Sequence, residues 1–162
     1  MRDKSELEIA KKLGGRMTNG SGCVSDDADI KIPGFLIEAK RRETTGNKIV
    51  FYPKIWEKLR KQSIKCNRTP LYCFQAGGQT FFITYRDVYD SDLMRDMDVL
   101  KTIIDTEPKT NIIIPIEEFD DLYNLAYKVG KVPLLLFKHF DIIYGVTDIK
   151  TMKTCLDRRF NG

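Results

Sequence analysis

The stretch Ala28-Asp29-Ile30-Lys31-Ile32-Pro33-Gly34-Phe35-Leu36-Ile37-Glu38-Ala39-Lys40 holds two apolar-rich runs around a Pro-Gly pair. Proline presets φ and glycine accepts positive φ, so Pro33-Gly34 reads as the turn of a β-hairpin. Strands are expected over Ala28–Ile32 and Phe35–Lys40. With the turn there, Ile32 opposes Phe35, Asp29 falls opposite Glu38, and Asp27 falls opposite Lys40. A four-residue loop keeps that register; a three-residue loop breaks it. Side chains alternate along a strand, so Glu38 and Lys40 share one face while Ile30, Ile32, Phe35, Ile37 and Ala39 take the other. Directly opposed residues bring their Cβ atoms to roughly 4.5–5.5 Å, where like charges destabilise. An acid facing an acid beside a lysine asks for a reason.

A divalent cation supplies one. Two converging carboxylates and a backbone carbonyl make a hard-oxygen site that suits Mg²⁺. Such an ion polarises a phosphoryl oxygen and lowers the pKa of bound water, and a lysine alongside offsets developing charge. The plain alternative is a solvent-facing hairpin with ordinary charged residues. Glu6 is a further carboxylate, on a helical stripe with Ile9, Ala10 and Leu13. A Ser5-x-x-Glu8 capping box accounts for Glu8 and leaves Glu6 free, whereas the competing Asp3-x-x-Glu6 box takes Glu6 as a cap. Gln62 follows Ile55 and Leu59 at i, i+4 and i+7, an amide on an apolar stripe that either orients a water or phosphate or caps a stray backbone group.

Outward from the hairpin, the pattern predicts a short helix from about Ser5 to Leu13, a polar loop from Arg16 to Asp27, and a second polar loop after Lys40. A helix is expected over Pro53–Cys66, with strands at Leu71–Ala76 and Thr80–Tyr85 around a Gly77-Gly78 turn. The last third carries an expected strand at Asn111–Ile116, a helix at Glu117–Val129, strands at Pro133–Phe137 and Asp141–Val146, and a helix over Ile149–Phe160. Thr69-Pro70-Leu71-Tyr72-Cys73-Phe74 and Val132-Pro133-Leu134-Leu135-Leu136-Phe137 each follow a helix and precede a strand. A helix–strand–strand unit used twice in one sheet explains this echo, and so does chance similarity of apolar strands.

With 162 residues, 42% hydrophobic and 31% charged, the chain suits one domain (1–162) and neither a disordered nor a membrane class. No secretory leader heads the sequence, which sets a cytoplasmic expectation. Cys23, Cys66, Cys73 and Cys155 are scattered without a C-x-x-C pair and read as reduced and mostly buried. The single histidine, His139, reads as structural and excludes His-rich metal sites; Trp56 reads as core. Walker and G-x-S-x-G motifs are absent. The net charge of +4 is unevenly spread. From Lys40 to Arg68 ten Lys/Arg face two Glu, and from Asp87 to Asp121 eleven Asp/Glu face three Lys/Arg. The basic segment is a footprint for a polyanion; a solvated basic face balanced by an acidic one is the alternative.

Taken in order, Glu6, then Arg16 and Gly20-Ser21-Gly22, then Asp29-Ile30, then Glu38-Ala39-Lys40, then a helix bearing Gln62, resembles the PD-(D/E)XK nucleases, and within them the Holliday-junction resolvases of archaea and some phages. The resemblance covers about residues 5–85 and leaves about 87–162 as a C-terminal elaboration. It implies an α/β fold, a restriction-endonuclease-like mixed sheet flanked by helices, cutting DNA with Mg²⁺ or Mn²⁺. It implies Asp29 and Glu38 as metal ligands, Lys40 as the catalytic lysine, Glu6 as the acid completing the metal site, and Gln62 as the amide on the following helix. Arg16 and Ser21 fall where the family's loop approaches DNA phosphate, and the resolvases are homodimers. The chain departs from the pattern at Ala28, where a proline commonly stands, and the run Asp26-Asp27-Ala28-Asp29 leaves Asp27 as second choice and Asp26 as third for the ligand. The expected activity is a metal-dependent endonuclease acting on four-way or other branched DNA, with Arg41, Arg42, Lys48, Lys54, Lys58, Arg60, Lys61 and Lys65 tracking phosphates. The alternatives are a nuclease of the same core acting on duplex, nicked or single-stranded DNA, and a DNA-binding module without catalysis.

Overall fold

The Pro33-Gly34 hairpin forms in the expected register. A computed structural model describes residues 9, 11, 13, 16, 17, 30–41, 46–107 and 110–161, the side chains of 16, 17, 31, 41, 160 and 161 excepted. Strand β2 (Ile30–Ile32) pairs antiparallel with β3 (Phe35–Arg41), Ile32 opposite Phe35 and Ile30 opposite Ile37. Gly34 takes φ 85°, as the tight turn requires. Ile30, Ile32, Phe35 and Ile37 are all buried. A one-residue slip would turn all four to the other face, and at about 1.5–3 kcal/mol per side chain that set outweighs any single charge contact in choosing the register.

Beyond β2 lies a two-residue strand, β1 (Arg16–Met17), within the stretch expected to be loop. After β3 come β4 (Lys48–Phe51), helix α1 (Pro53–Lys65), β5 (Thr69–Ala76) and β6 (Gln79–Tyr85). A short helix α2 (Arg86–Val88) runs into a π-helical turn over Tyr89–Leu93. Then follow β7 (Val99–Ile104), β8 (Ile112–Pro115), α3 (Ile116–Lys128), β9 (Val132–His139), β10 (Ile142–Asp148) and α4 (Ile149–Asn161). From Pro53 onward the expected helices and hairpins appear within a few residues of their predicted ends, while the ends of the helix expected over Ser5–Leu13 and the start of the strand expected at Ala28 lie outside the described residues. Sequence patterning passed over β4, β7 and α2 with its π turn. β4 and β7 are short and gain their hydrogen bonds only from distant strands, β8 and β9.

Eight strands form one mixed sheet in the order β1-β2-β3-β5-β6-β10-β9-β7, and β4 and β8 form a separate two-stranded ribbon. The chain is an α/β domain with apolar clusters on both faces of that sheet. One face carries Leu36, Tyr72, Phe74, Phe81 and Ile83 under α1, α3 and the ribbon. The other carries Ile30, Ile32, Phe35, Ile37, Leu71 and Cys73 against Ile9 and Leu13, the π turn and α4. Ile9 and Leu13 are buried and Lys11 is exposed, as the predicted helical stripe requires. Trp56 is buried, and His139 ends β9 with its ring against Phe140. No described helix is long and apolar enough to cross a membrane.

The echo between the halves is a true structural repeat. A constant step of 63 residues carries α1 onto α3 (53 to 116), the buried Trp56 and Leu59 onto Phe119 and Leu122, and Pro70 onto Pro133. Asn67 and Gly130 close the two helices with positive φ, and the following N–H groups of Arg68 and Lys131 reach back to Ser63 and Ala126 at 2.8 and 2.9 Å. Thr84 donates to the Pro70 carbonyl at 2.9 Å and Thr147 to the Pro133 carbonyl at 2.8 Å. Gly77 and Phe140 take φ 57° and 54° in equivalent hairpin turns. Ile83 pairs with Val146 across β6 and β10, and Val50 with Ile113 across β4 and β8. Each pair joins a residue to its own counterpart, so a pseudo-two-fold axis passes through both.

The four cysteines divide. Cys73 and Cys155 are buried thiols outside any disulfide, as expected, whereas Cys66, half-buried at the end of α1, is disulfide-bonded. Scatter along the sequence carried no information about separation in space, so the expectation of four reduced cysteines is corrected here.

Candidate functional site

Glu38 and Lys40 lie two residues apart on β3 and therefore project from the same face. That face is the one covered by α1 and not a solvent-facing one. The only solution open to a carboxylate there is to be paired or ligated. Glu38 is 8% exposed, and the Lys40 ammonium stands 3.2 Å from its Oε1. The lysine side chain is 41% exposed, so its head stays at the surface while the carboxylate sits beneath it. The shared face that was expected from alternation alone is in place, and the ion pair across it is a finding of the structure.

The floor of the site comes from β5, which runs parallel to β3 with Tyr72 beside Glu38 and Phe74 beside Lys40. The two rings stack, centroids 6.5 Å apart. Tyr72 donates its hydroxyl to the Val50 carbonyl of β4 at 2.9 Å. Burial above all, and the nearby Glu38 carboxylate, raise the Tyr72 pKa well above the ordinary phenol range. Tyr72 is therefore a neutral donor tying the ribbon to the sheet next to the acid. Sequence reasoning placed it only in an apolar strand, because its neighbourhood depends on the parallel register with β3.

The hairpin is held from both sides. Arg68, which the sequence offers merely as one more basic residue, donates from one guanidinium nitrogen to the carbonyls of Ile32 at 2.7 Å and Phe35 at 3.2 Å. The Arg159 guanidinium stacks over the Phe35 ring 5.0 Å from its centroid. A Cβ on Gly34 would approach Arg159 Nη2 to 3.2 Å, so the turn glycine also makes room for this contact.

Helix α1 leaves the carboxyl end of β3 through β4 and returns antiparallel to β3 and β5, packing on both. Its buried face is Trp56, Leu59 and Ser63, and the Ser63 hydroxyl donates back to the Leu59 carbonyl at 2.8 Å. Gln62 sits one position round, half-exposed at the rim, and its amide makes no side-chain hydrogen bond among the described residues. Lys54, Lys58, Lys61 and Lys65 are all exposed and fall at i, i+4, i+7 and i+11, one continuous basic stripe. Lys48 is exposed at the start of β4. Arg60 differs from the stripe: its Nε donates to Glu57 at 3.0 Å, which lowers the Glu57 pKa and raises that of Arg60, so this arginine is partly neutralised within its own helix.

Glu6, Ser21, Asp26, Asp27, Asp29 and Arg42 lie outside the described residues, and Arg16 and Arg41 are described only as strand backbone. Among the described residues no group of three or more His, Cys, Asp or Glu is arranged to hold a metal ion. Glu38 is the one expected ligand within them, a buried hard-oxygen donor of the kind Mg²⁺ takes. No protein-family model matches this chain, and neither a curated protein nor a solved structure matches it.

Proposed function

We propose that the chain is a divalent-metal-dependent endodeoxyribonuclease of the PD-(D/E)XK type, acting on branched DNA. The observation that carries the reading is the buried Glu38 with Lys40 at 3.2 Å on the sheet face beneath α1. A carboxylate is kept on an otherwise apolar face, and the hairpin beneath it is braced by Arg68 and Arg159. The order of elements adds support: helical residues 9, 11 and 13, then the hairpin bearing E-x-K, then a crossover helix bearing Gln62 and the lysine stripe. A restriction-endonuclease-like core accounts for that order.

In this reading Glu38 would hold Mg²⁺ or Mn²⁺ together with Asp29, the residue preceding β2, and Glu6, with Asp27 the second choice for Asp29. The bound ion supplies a polarised phosphoryl oxygen and a water of lowered pKa. Lys40 stands where its ammonium stabilises charge gathering on the phosphoryl oxygens. Water oxygen forms the new bond to phosphorus, one P–O ester bond breaks, and the leaving oxygen takes a proton. The exposed lysines of α1 and Lys48 hold the phosphate backbone, a contact that falls steeply with salt. Arg16, Ser21, Arg41 and Arg42 are proposed to join them.

The test is cleavage of a labelled four-way junction, with matched duplex and single strand, in Mg²⁺ and in EDTA, using the wild type and Glu38→Ala. Junction-selective nicks lost in EDTA and in the variant are expected. Equal cutting of all three substrates would keep the site and replace branched DNA by DNA in general. Binding without cutting in Mg²⁺ or Mn²⁺ would leave a DNA-binding module and overturn the catalytic roles.

A further inference from the structure

Within the sheet, β3–β5–β6 and β7–β9–β10 match in order and pairing and differ in chemistry, while β1 and β2 extend the first unit alone. Glu38 neighbours Tyr72 across the parallel β3–β5 pair, and the counterpart of Tyr72, Leu135, neighbours Thr102 across β7–β9. In the same way Lys40 neighbours Phe74, and Phe137 neighbours Ile104. Where the first half carries its acid and lysine, the second carries Thr102 and Ile104. The surrounding charge reverses too. Lys54 and Lys58 of the stripe on α1 have Glu117 and Asp121 as counterparts on α3, all four exposed. At the end of β7 an open cleft of about 450 Å³ is lined by Ile104, Asp105, Glu107 and Glu118 among others, a setting that repels phosphate.

We infer that the molecule is a fused pair of like units of which only the first cuts, so that one chain hydrolyses one phosphodiester on one strand per encounter with DNA. The inference rests on the nuclease reading above and narrows it to a nicking activity. The pseudo-two-fold axis through Ile83–Val146 and Val50–Ile113 already joins two units edge to edge. The second unit therefore lies, within one chain, across that axis from the first. Its acidic helix keeps a second phosphate backbone off that half, and water is the only co-reactant the single cut needs.

The experiment is a time course on supercoiled closed-circular DNA carrying an extruded cruciform, in Mg²⁺, across a range of protein concentration. Nicked circle is expected as the first product, linear DNA only after a lag, and an initial rate first-order in protein. Linear DNA from the outset, or a rate rising with the square of protein concentration, would overturn the inference while leaving the nuclease reading intact. No cutting in Mg²⁺ or Mn²⁺ would overturn both. Two variants sharpen the result. Glu38→Gln is expected to abolish nicking of both strands; nicking that persists on one strand would assign a second active unit and refute the inference. The double variant Asp105→Asn/Glu118→Gln is expected to cut within twofold of the wild type. A tenfold loss in a variant with unchanged thermal unfolding would place the second half in the chemistry and refute it as well.

Discussion

Arg68→Met tests whether the hairpin bearing Glu38 and Lys40 is positioned from the far end of α1. The arginine's guanidinium donates to two backbone carbonyls flanking the turn, those of Ile32 and Phe35, at 2.7 and 3.2 Å. Hydrogen bonds from a charged donor contribute about 1.5–3 kcal/mol each when well formed. Here the shorter bond is strong, the longer one weaker, and the half-exposed site lets water replace part of both. The expected loss is therefore about 1.5–3 kcal/mol in total. At roughly 2–4 °C per kcal/mol for a chain of this size, that is a fall of about 3–12 °C in Tm. Urea unfolding followed by far-ultraviolet circular dichroism reads the free energy. Methionine keeps the apolar stem, so packing against the helix is preserved and the missing donor is what is measured. Arg68→Lys is expected to recover less than half of the loss, because one ammonium cannot reproduce the guanidinium's fixed geometry. A change under about 0.5 kcal/mol in Arg68→Met would refute the bracing role.

Three further outcomes are expected. Replacing Lys54, Lys58 and Lys61 together by glutamine should lower the salt slope of DNA binding by about 2.7, at roughly 0.9 per lost phosphate contact; an unchanged slope would take the stripe out of the interface. Raising the pH should weaken the fold from about pH 9 to pH 12. Burial lifts the Cys155 thiol from 9.0 to about 12 and the Tyr144 phenol from 10.0 to about 12, so the unfolded chain loses these protons first and the stabilisation present below pH 9 disappears as the folded values are reached. Denaturation midpoints that stay flat over that range would contradict it. Gly145→Ala should cost about 1–3 kcal/mol, because the new Cβ would lie 2.8 Å from both Leu134 and Tyr89 carbons. Calorimetry showing no loss would mean that the Tyr89 ring yields freely.

Tyr89 also shows where the two halves stop matching. Its hydroxyl donates to the Phe82 carbonyl at 2.7 Å, and its ring fills the space over Gly145, the counterpart of Phe82. The repeat is thus built from like backbones with side chains exchanged across the axis. That exchange hides it from simple sequence comparison, while Pro70 and Pro133 or Thr84 and Thr147 keep the trace.

Local chemistry determined the hairpin and its neighbours without help from the rest of the fold. Pro33-Gly34 has one conformational use between two apolar strands, and the alternation around it commits Ile30, Ile32, Phe35 and Ile37 to one face and Glu38 with Lys40 to the other. Helical spacing likewise determined which of Trp56, Leu59 and the four lysines would be buried or exposed. Tertiary structure alone decided that the Glu38 face lies beneath a helix, that Tyr72 stands beside the acid, and that Arg68 reaches the turn carbonyls. It also decided that β4 and β7 are strands at all, since each finds its partner far along the chain. Periodicity reports what a residue's own element does with its side chains. The partner across a parallel register, or across an axis between two halves, is set by packing between elements distant in sequence.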